Sequence, residues 1–110
     1  MGAPNFVRGG SHSGNLSAQE LAENGLLDAI CSDYVPMSML RALFMLTEAP
    51  FCWSLPAAVA QATLAPGRMA GLHDRGEIGI GLRADLLRIR HEPGRWPAVR
   101  GVWCAGVRVA

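Results

Sequence analysis

The sequence contains no lysine. Its ten basic residues are all arginine, and its nine acidic residues leave a formal net charge of +1. Without a lysine side chain, the protein cannot form a Schiff base with a carbonyl substrate, use a lysine as general base or bridge metal ions through a modified lysine. Only 17% of the residues are charged, which argues against a disordered polyelectrolyte and a nucleic-acid-binding arm. We expect a globular protein with no nucleic-acid partner.

Cysteines and long hydrophobic runs are also scarce. The three cysteines, Cys31, Cys52 and Cys104, are far apart, and this spacing favours neither a disulfide framework nor a CxxC metal knuckle. The most apolar stretch, 37–46, contains a serine and an arginine and is too short to cross a bilayer. The first residues do not follow the pattern of a signal peptide. We therefore expect a reduced, cytoplasmic protein with no membrane partner.

The length limits the fold. The chain has 110 residues, including 13 glycines and 7 prolines without a collagen period, which predicts many turns and few long helices. One ordinary domain fits this length, whereas a complete (β/α)8 barrel needs about 250 residues.

The N-terminal part of the chain predicts a loop followed by a helix. Residues 1–15 are rich in glycine, serine and asparagine and predict a loop. A helix over 18–24 is indicated by a capping box of Ser17 and Glu20 and by Gly25, which suits the left-handed position after the helix.

The next segment predicts a strand and further helices. The apolar run 26–32 is typical of a buried strand of a parallel sheet. Ser38 is the predicted cap of a helix that ends near Thr47, and Ser54 is the predicted cap of a helix that stops near residues 65–67. A short helical stub follows, through residue 69.

After Leu72 the pattern changes to short strands and tight turns. The turns 92–94 and 105–106 suit antiparallel hairpins. The predicted strands cover 84–90, 98–103 and 107–109. The sequence thus predicts an α/β chain with one unit over 1–71 and a small β domain over 72–110.

These elements do not cover one another completely. The predicted strand 26–32 and the small β domain each leave an apolar surface that a stable fold must bury. We therefore expect the chain to be a fragment of a larger protein, completed by a missing portion or by a second copy.

The first candidate site is the segment from Asn5 to Asn15. Glycines allow close approach of backbone N–H groups to a ligand, serines and asparagines add donors, and the Arg8 guanidinium matches phosphate oxygens. The segment matches neither the nucleotide P-loop nor the GxGxxG spacing. Taken alone, a stretch of this composition is more often an exposed loop than an anion site.

The second candidate is Asp33. Barrel enzymes carry reactive groups at the carboxyl ends of their buried parallel strands, and Asp33 lies at this end of the predicted strand. The same residue equally suits an Asx-turn or a helix cap. The segment 71–86 has a structural interpretation, in which Asp85 accepts hydrogen bonds from turn N–H groups. His73 and His91 are expected to be exposed histidines without metal-ligand spacing.

The order of several motifs resembles the C-terminal end of the amidohydrolase superfamily. These motifs are Ser-Asp-Tyr-Val-Pro at 32–36, Thr-Leu-Ala-Pro-Gly-Arg at 63–68, Gly-Glu-Ile at 76–78 and Gly-Leu-Arg-Ala-Asp-Leu at 81–86. The resemblance implies the last strand and helices of a (β/α)8 TIM barrel followed by part of a small β-sandwich domain. It also implies that Asp33 matches the aspartate that works at the superfamily's metal site.

The stretch 2–15 resembles a family of diphosphatases of the carbon–phosphorus lyase pathway. This resemblance implies metal-dependent hydrolysis of ribose 1-methylphosphonate 5-triphosphate to the 5-phosphate and pyrophosphate, with a divalent metal, expected to be zinc. Asp33 is the implied catalytic and metal-binding residue. The implied substrate-binding residues are Asn5, Arg8, Gly9, Gly10, Ser11, His12, Ser13 and Asn15. Because the superfamily's other metal ligands have no counterpart in this chain, the resemblance implies that the chain is inactive alone.

Two other functions remain open. The chain could belong to another cyclic amidohydrolase, dihydroorotase-like or deacetylase-like, in which Asn5 and Arg8 hold a carboxylate. It could also be a non-catalytic interaction module that binds a partner through the β hairpins with Trp96 and Trp103.

Overall fold

The computed structural model describes residues 1–9 and 17–110. Within these ranges, five helices precede a three-stranded antiparallel sheet, so the predicted α/β composition is confirmed. The helices are α1 (Ala3–Arg8), α2 (Ala18–Glu23), α3 (Pro36–Thr47), α4 (Leu55–Ala60) and α5 (Leu64–Met69); the strands are β1 (Leu86–Arg90), β2 (Ala98–Cys104) and β3 (Val107–Arg108). No helix in these ranges is both long and apolar enough to span a membrane.

The prediction of a loop over residues 1–15 is wrong where the structure describes them, because helix α1 occupies most of residues 1–9. Pro4 stands in its first turn, and Gly9 ends it with a left-handed φ of 79°. This is the usual arrangement of proline at the start of a helix and glycine just past its end. Ala3 and Phe6, three residues apart, are buried, so burial of one helix face stabilises α1.

The predicted strand over 26–32 is also wrong in its extent. Only Cys31 forms a bridge, an isolated parallel pairing with Gly2. The Ala3 N–H donates to the Cys31 carbonyl at 2.8 Å, and the Cys31 N–H donates to the Met1 carbonyl at 2.9 Å. On the other side, the Ile30 N–H bonds to a turn carbonyl, that of Gln61, at 2.9 Å. The segment lacks a second strand among the described residues and therefore stays extended without joining a sheet.

The predicted capping box of α2 is confirmed. The Glu20 N–H donates to the Ser17 hydroxyl at 3.1 Å, and the Ser17 N–H donates to the Glu20 carboxylate at 2.9 Å. The bond from the Ser17 N–H, together with one that the Ser17 hydroxyl donates to the same carboxylate at 3.0 Å, lowers the pKa of Glu20. Gly25 follows the helix with a φ of 67°, in the left-handed conformation expected of it.

Helix α3 begins three residues earlier than predicted, with Val35 rather than Ser38 as its N-cap. Pro36 occupies its first turn, where the missing N–H costs no helical hydrogen bond. Ser38 is therefore inside the helix rather than at its cap; it is buried, and its hydroxyl donates to the Val35 carbonyl at 2.6 Å. The predicted end at Thr47 is confirmed.

The predicted third helix is divided into two. Ser54 caps α4 as expected, since its hydroxyl accepts from the Ala57 N–H at 3.4 Å. This helix ends at Ala60 rather than near residues 65–67, and after a turn α5 begins at Leu64. The Thr63 hydroxyl donates to the Val59 carbonyl at 3.0 Å, and this bond stabilises the turn between the two helices.

The hydrophobic core lies between the helices. Phe6 of α1 contacts Phe51 with ring centroids 5.3 Å apart, and α1 and α4 both pack on α3. The buried apolar residues are Ala3, Phe6, Ala18, Ala22, Leu27, Ile30, Ala42, Leu43, Leu46 and Ala58. All of them precede residue 60.

The three predicted strands are confirmed, with β1 starting at Leu86. They pair in the order β1-β2-β3, all antiparallel, with a bulge between Arg88 and Ile89. Cys104 pairs with Val107, so the connecting turn consists of Ala105 and Gly106. Both have positive φ, 49° and 82°, as a type I′ hairpin turn requires.

The C-terminal sheet and the loop before it leave much apolar surface exposed, as the sequence predicts. Ile78 is 90% exposed, Leu87 is 55% exposed and Val99 is 45% exposed. The C-terminal region contacts the helices through His91, whose ring stacks on Phe44 of α3 with the ring centroids 3.8 Å apart.

Candidate functional site

Asp33 lies in the turn that leads from the extended segment into α3. The Val35 N–H donates to the Ser32 carbonyl at 3.2 Å and closes this turn. Asp33 is exposed and has a φ of 51°, a left-handed conformation that aspartate adopts more readily than most residues. Asp33 thus follows the paired residue Cys31 by two positions, and its role as a reactive acid stays a prediction.

The structure places Gly2 against Asp33. An ideal Cβ built on Gly2 would lie 2.8 Å from Oδ2 of Asp33, 3.2 Å from its Cβ and 3.3 Å from its Cγ. The bridge between Gly2 and Cys31 fixes this approach. Gly2, which lies three residues before the predicted substrate-binding segment, is thus a neighbour of the predicted catalytic acid. Gly2 is not among the site residues predicted from the sequence. The local signal for it is a glycine that stands just before two apolar residues at helical spacing, Ala3 and Phe6.

Helix α1 carries two of the predicted substrate-binding side chains. Asn5 and Arg8 are three residues apart and so share one face of the helix. Asn5 is half-buried and Arg8 is exposed in the last turn. Gly9 follows, and a Cβ built on it would lie 3.6 Å from Nε2 of Gln19. Burial of Phe6 in the core anchors this helix, whose N-cap residue, Gly2, lies against Asp33.

The remaining predicted substrate-binding residues lie outside the described residues. They are Gly10, Ser11, His12, Ser13 and Asn15. Their roles stay predictions.

The described ranges do not contain a metal site of their own. Within residues 1–9 and 17–110, no group of three or more His, Cys, Asp or Glu side chains could hold a metal ion. A hydrolytic zinc site uses about three protein ligands and an open position for water. A metal site that included Asp33 would therefore need further ligands from outside these ranges.

The two histidines in the turn-rich region differ from each other. His73 is exposed, as predicted. The prediction that His91 is exposed is wrong, because its ring stacks on Phe44 and its Nδ1 is buried without a hydrogen-bond partner among the described residues. The ring is covered by Phe44 of α3. Because α3 lies outside 72–110, the sequence pattern of that region does not predict the burial of His91.

Asp85 has the predicted structural role, although in a different turn. It accepts from the Ala105 N–H at 2.8 Å, which ties it to the turn between β2 and β3. Arg83 Nε donates to the same carboxylate at 2.9 Å, and Arg75 lies 3.5 Å away. The Ala105 bond, followed by the Arg83 bond, holds the pKa of Asp85 below its usual range. The internal contacts of this cluster stabilise the turn between β2 and β3.

Two further cavities lie on the surface of the described residues. One, of about 160 Å³, is at the β1–β2 turn and is lined by Arg90, Glu92, Arg95, Trp96, Ala98 and Arg100. The other, of about 410 Å³, is mainly apolar and is lined by Met1, Ala29, Ile30, Cys31, Pro66, Met69 and Ala70. The second cavity runs along the extended segment that ends near Asp33. Sequence reasoning predicted neither cavity, since each joins residues from separate segments.

Comparison with known proteins supplies the family. The chain is 48% identical, over 99% of its own length, to the α-D-ribose 1-methylphosphonate 5-triphosphate diphosphatase of Escherichia coli strain K12. It covers 29% of that relative's length. No solved structure matches the chain. A family model described as the amidohydrolase family matches residues 7–110, and the chain therefore belongs to the amidohydrolase family.

Proposed function

We propose that this chain is the C-terminal part of a metal-dependent hydrolase of phosphonate metabolism. The complete protein hydrolyses α-D-ribose 1-methylphosphonate 5-triphosphate to the 5-phosphate and pyrophosphate. The observation that carries this proposal is the 48% identity to a diphosphatase over 99% of the chain. The approach of Gly2 to the Asp33 carboxylate supports it, because Gly2 is the N-cap of the helix that carries Asn5 and Arg8.

In this proposal Asp33 provides a metal ligand and a proton acceptor. A divalent metal, zinc in this proposal, would be held in part by Asp33 and would supply, when bound, an activated water near neutral pH. Asp33 is exposed and lies just past the paired residue of the extended segment, and its carboxylate is a group that can accept a proton. The remaining metal ligands come from the portion of the hydrolase outside this chain.

Asn5 and Arg8 bind the triphosphate. The Arg8 guanidinium neutralises phosphate oxygens through paired N–H donors, and the Asn5 amide adds a donor on the same helix face. The other proposed substrate-binding residues, Gly9 and those between Gly10 and Asn15 that lie outside the described residues, are of types that supply backbone N–H groups and hydroxyls to an anion. Charge neutralisation of this kind is most valuable as negative charge builds up on the leaving pyrophosphate.

The rest of the hydrolase covers the apolar surface that this chain exposes. Ile80 and Leu87 are exposed on and before the sheet, and the cavity of about 410 Å³ runs along the extended segment. In the proposed architecture the extended segment is the last strand of a (β/α)8 barrel, and the sheet is part of a small β-sandwich. The missing portion or a second copy supplies the neighbouring strands. The three exposed free thiols, Cys31, Cys52 and Cys104, suit the reducing cytoplasm.

A chimera tests the proposal. The segment of the Escherichia coli relative that matches this chain is replaced by the 110-residue sequence, and pyrophosphate release is measured. We expect the chimera to be active and the 110-residue chain alone to be inactive. Asp33→Asn should reduce kcat on the order of 100-fold or more, because it removes a proton acceptor and an ionised ligand. Asp28→Asn, at an exposed carboxylate before the bridge, is the matched control and should leave kcat unchanged.

Two outcomes would contradict the proposal. A chimera that folds but releases no pyrophosphate, while hydrolysing a cyclic amide, would favour a dihydroorotase-like or deacetylase-like hydrolase. Pyrophosphate release by the 110-residue chain alone would contradict the division of the site between this chain and the missing portion.

The two tryptophans of the hairpins bear on the alternative function, a non-catalytic interaction module. Trp96 is 55% exposed and lines the arginine-rich cavity, whereas Trp103 lies against Arg108, 5.9 Å from its guanidinium carbon to the ring centroid. A binding role through the hairpins would therefore depend on Trp96. Replacing Trp96 with alanine in the chimera should leave pyrophosphate release unchanged if catalysis is the function.

A further inference from the structure

We propose that Gly2 is a positioning residue for Asp33, because it leaves the space in which the Asp33 carboxylate lies. The inference rests on the proposed function for its consequence in catalysis, and on the distances alone for its structural part. A side chain at position 2 displaces the carboxylate from the end of the extended segment.

The backbone at position 2 does not itself require glycine. Gly2 has a φ of −75° and a ψ of 126°. This is an ordinary extended conformation that residues with a side chain adopt without strain. The usual explanation for a glycine, a positive φ, therefore does not apply here. A second explanation is needed for the absence of a side chain.

The distances to Asp33 provide that explanation. A Cβ on Gly2 would lie 2.8 Å from Oδ2 of Asp33 and 3.2 Å from its Cβ, well inside the 3.5–4.0 Å of an unstrained contact. The two backbones cannot separate easily, because hydrogen bonds of 2.8 and 2.9 Å join residues 1–3 to Cys31. The flexible Asp33 side chain would give way instead. The fold would survive and the carboxylate would move.

Helix capping is a competing role for Gly2, since it precedes α1 as its N-cap. Serine is at least as good an N-cap as glycine, whereas alanine is poorer. Gly2→Ser therefore keeps or improves the cap but adds a Cβ beside Asp33. If the role is capping, the serine variant behaves like the unchanged protein. If the role is space for Asp33, the serine and alanine variants are impaired alike.

The chimera provides the kinetic test. Gly2→Ser and Gly2→Ala should each lower kcat on the order of 100-fold, the loss expected for a displacement of about 1 Å in a reacting group. KM should change far less, because the phosphate-binding side chains on α1 stay in place. Gly67→Ala is the matched control: its Cβ would lie 3.6 Å from the nearest backbone atom, the Leu72 carbonyl oxygen, and kcat should not change. Full activity of Gly2→Ser would overturn the proposal.

A structural measurement separates this inference from the proposed function. In the NMR spectrum of the 110-residue chain, or in a crystal structure of the chimera, the Gly2 Hα atoms should lie in contact with the Asp33 side chain. Gly2→Ser should change the Asp33 side-chain rotamer, read from its Hα–Hβ couplings or from the electron density. Absence of this contact, or an unchanged rotamer in Gly2→Ser, overturns the inference even if the chimera is active. An inactive chimera with the contact and the rotamer change refutes the proposed function alone.

Discussion

The helical region and the C-terminal sheet are stabilised in different ways. All of the buried apolar residues of the core precede residue 60, and they pack between α1, α3 and α4. In the sheet, Gly101 is the buried strand residue, and the stabilising contacts are ladder hydrogen bonds, a type I′ turn and ion pairs such as that of Arg83 with Asp85. A small sheet needs a covered apolar face for independent stability. The helical region carries its own core, whereas the sheet depends on other surfaces.

The largest effect is expected from truncation in the helical core. Phe6 is 1% exposed and contacts Phe51, so Phe6→Ala should lower the free energy of unfolding by about 3–5 kcal/mol. Leu87, 55% exposed on β1, is the contrasting position, and Leu87→Ala should cost less than about 1 kcal/mol. Urea unfolding of both variants measures the difference. Equal losses would contradict the distinction between the two regions.

The contact between the regions is the next target. His91 stacks on Phe44 of α3 with centroids 3.8 Å apart, so His91→Ala should destabilise the sheet by about 1 kcal/mol. His91→Phe keeps the stack and removes the buried Nδ1, which has no partner among the described residues. It should therefore be at least as stable as the unchanged protein. Hydrogen exchange of the β1 and β2 amides measures the effect.

His73→Ala is the control for this prediction, because His73 is exposed in a turn. Its amide exchange should match that of the unchanged protein. If His91→Ala also leaves the β1 and β2 amides unchanged, the sheet does not depend on α3, and its stability has another source.

Local signals in the sequence were enough to predict several elements. The Ser17–Glu20 capping box and the turn at Ala105 and Gly106 were identified from a few adjacent residues, and both are confirmed. Such features depend on hydrogen bonds and φ values within one turn. The same reasoning missed α1, although Ala3 and Phe6 have helical spacing, because the glycines that follow indicated a loop.

Contacts between distant segments were not predictable in this way. Gly2 and Asp33 meet only because the N-terminal residues pair with Cys31, and His91 is covered only because α3 presents Phe44 to it. The extended segment shows the opposite error. Its composition suits a buried strand, but a strand also needs neighbours, and composition does not say whether the chain supplies them. The predicted residues between Gly10 and Asn15 remain untested.

Acid should loosen the turn between β2 and β3. The Ala105 N–H and the Arg83 guanidinium hold the pKa of Asp85 below its ordinary value of 3.8. The folded state therefore favours the ionised carboxylate, and its stabilisation is complete above that ordinary value. As the pH falls through the lower pKa of the folded state, Asp85 becomes protonated and the stabilisation is lost. The Ala105 amide shift, followed by NMR below pH 4, should report this protonation.

Two variants test the assignment of that titration to Asp85. Asp85→Asn should remove the pH dependence of the Ala105 amide. Asp74→Asn should retain it, although the pKa of Asp74 is also lowered, mainly by its hydrogen bond from Arg75. Loss of the pH dependence in Asp74→Asn would show that the two carboxylates act as one cluster.

The smallest expected effect is a gain in stability at Ala105. Its φ of 49° is unfavourable for alanine but common for asparagine, which is strongly preferred at the first central position of a type I′ turn. Ala105→Asn should therefore raise the free energy of unfolding by about 0.5 kcal/mol, and Ala105→Val should lower it, because a branched Cβ is strained at positive φ. Thermal unfolding followed by circular dichroism measures both.

Since no large apolar side chain of the strands is fully buried, turn geometry is one of the few ways left to stabilise this sheet from within. Equal stabilities of the asparagine and valine variants would show that the sheet is held by its contact with the helices rather than by its own turns.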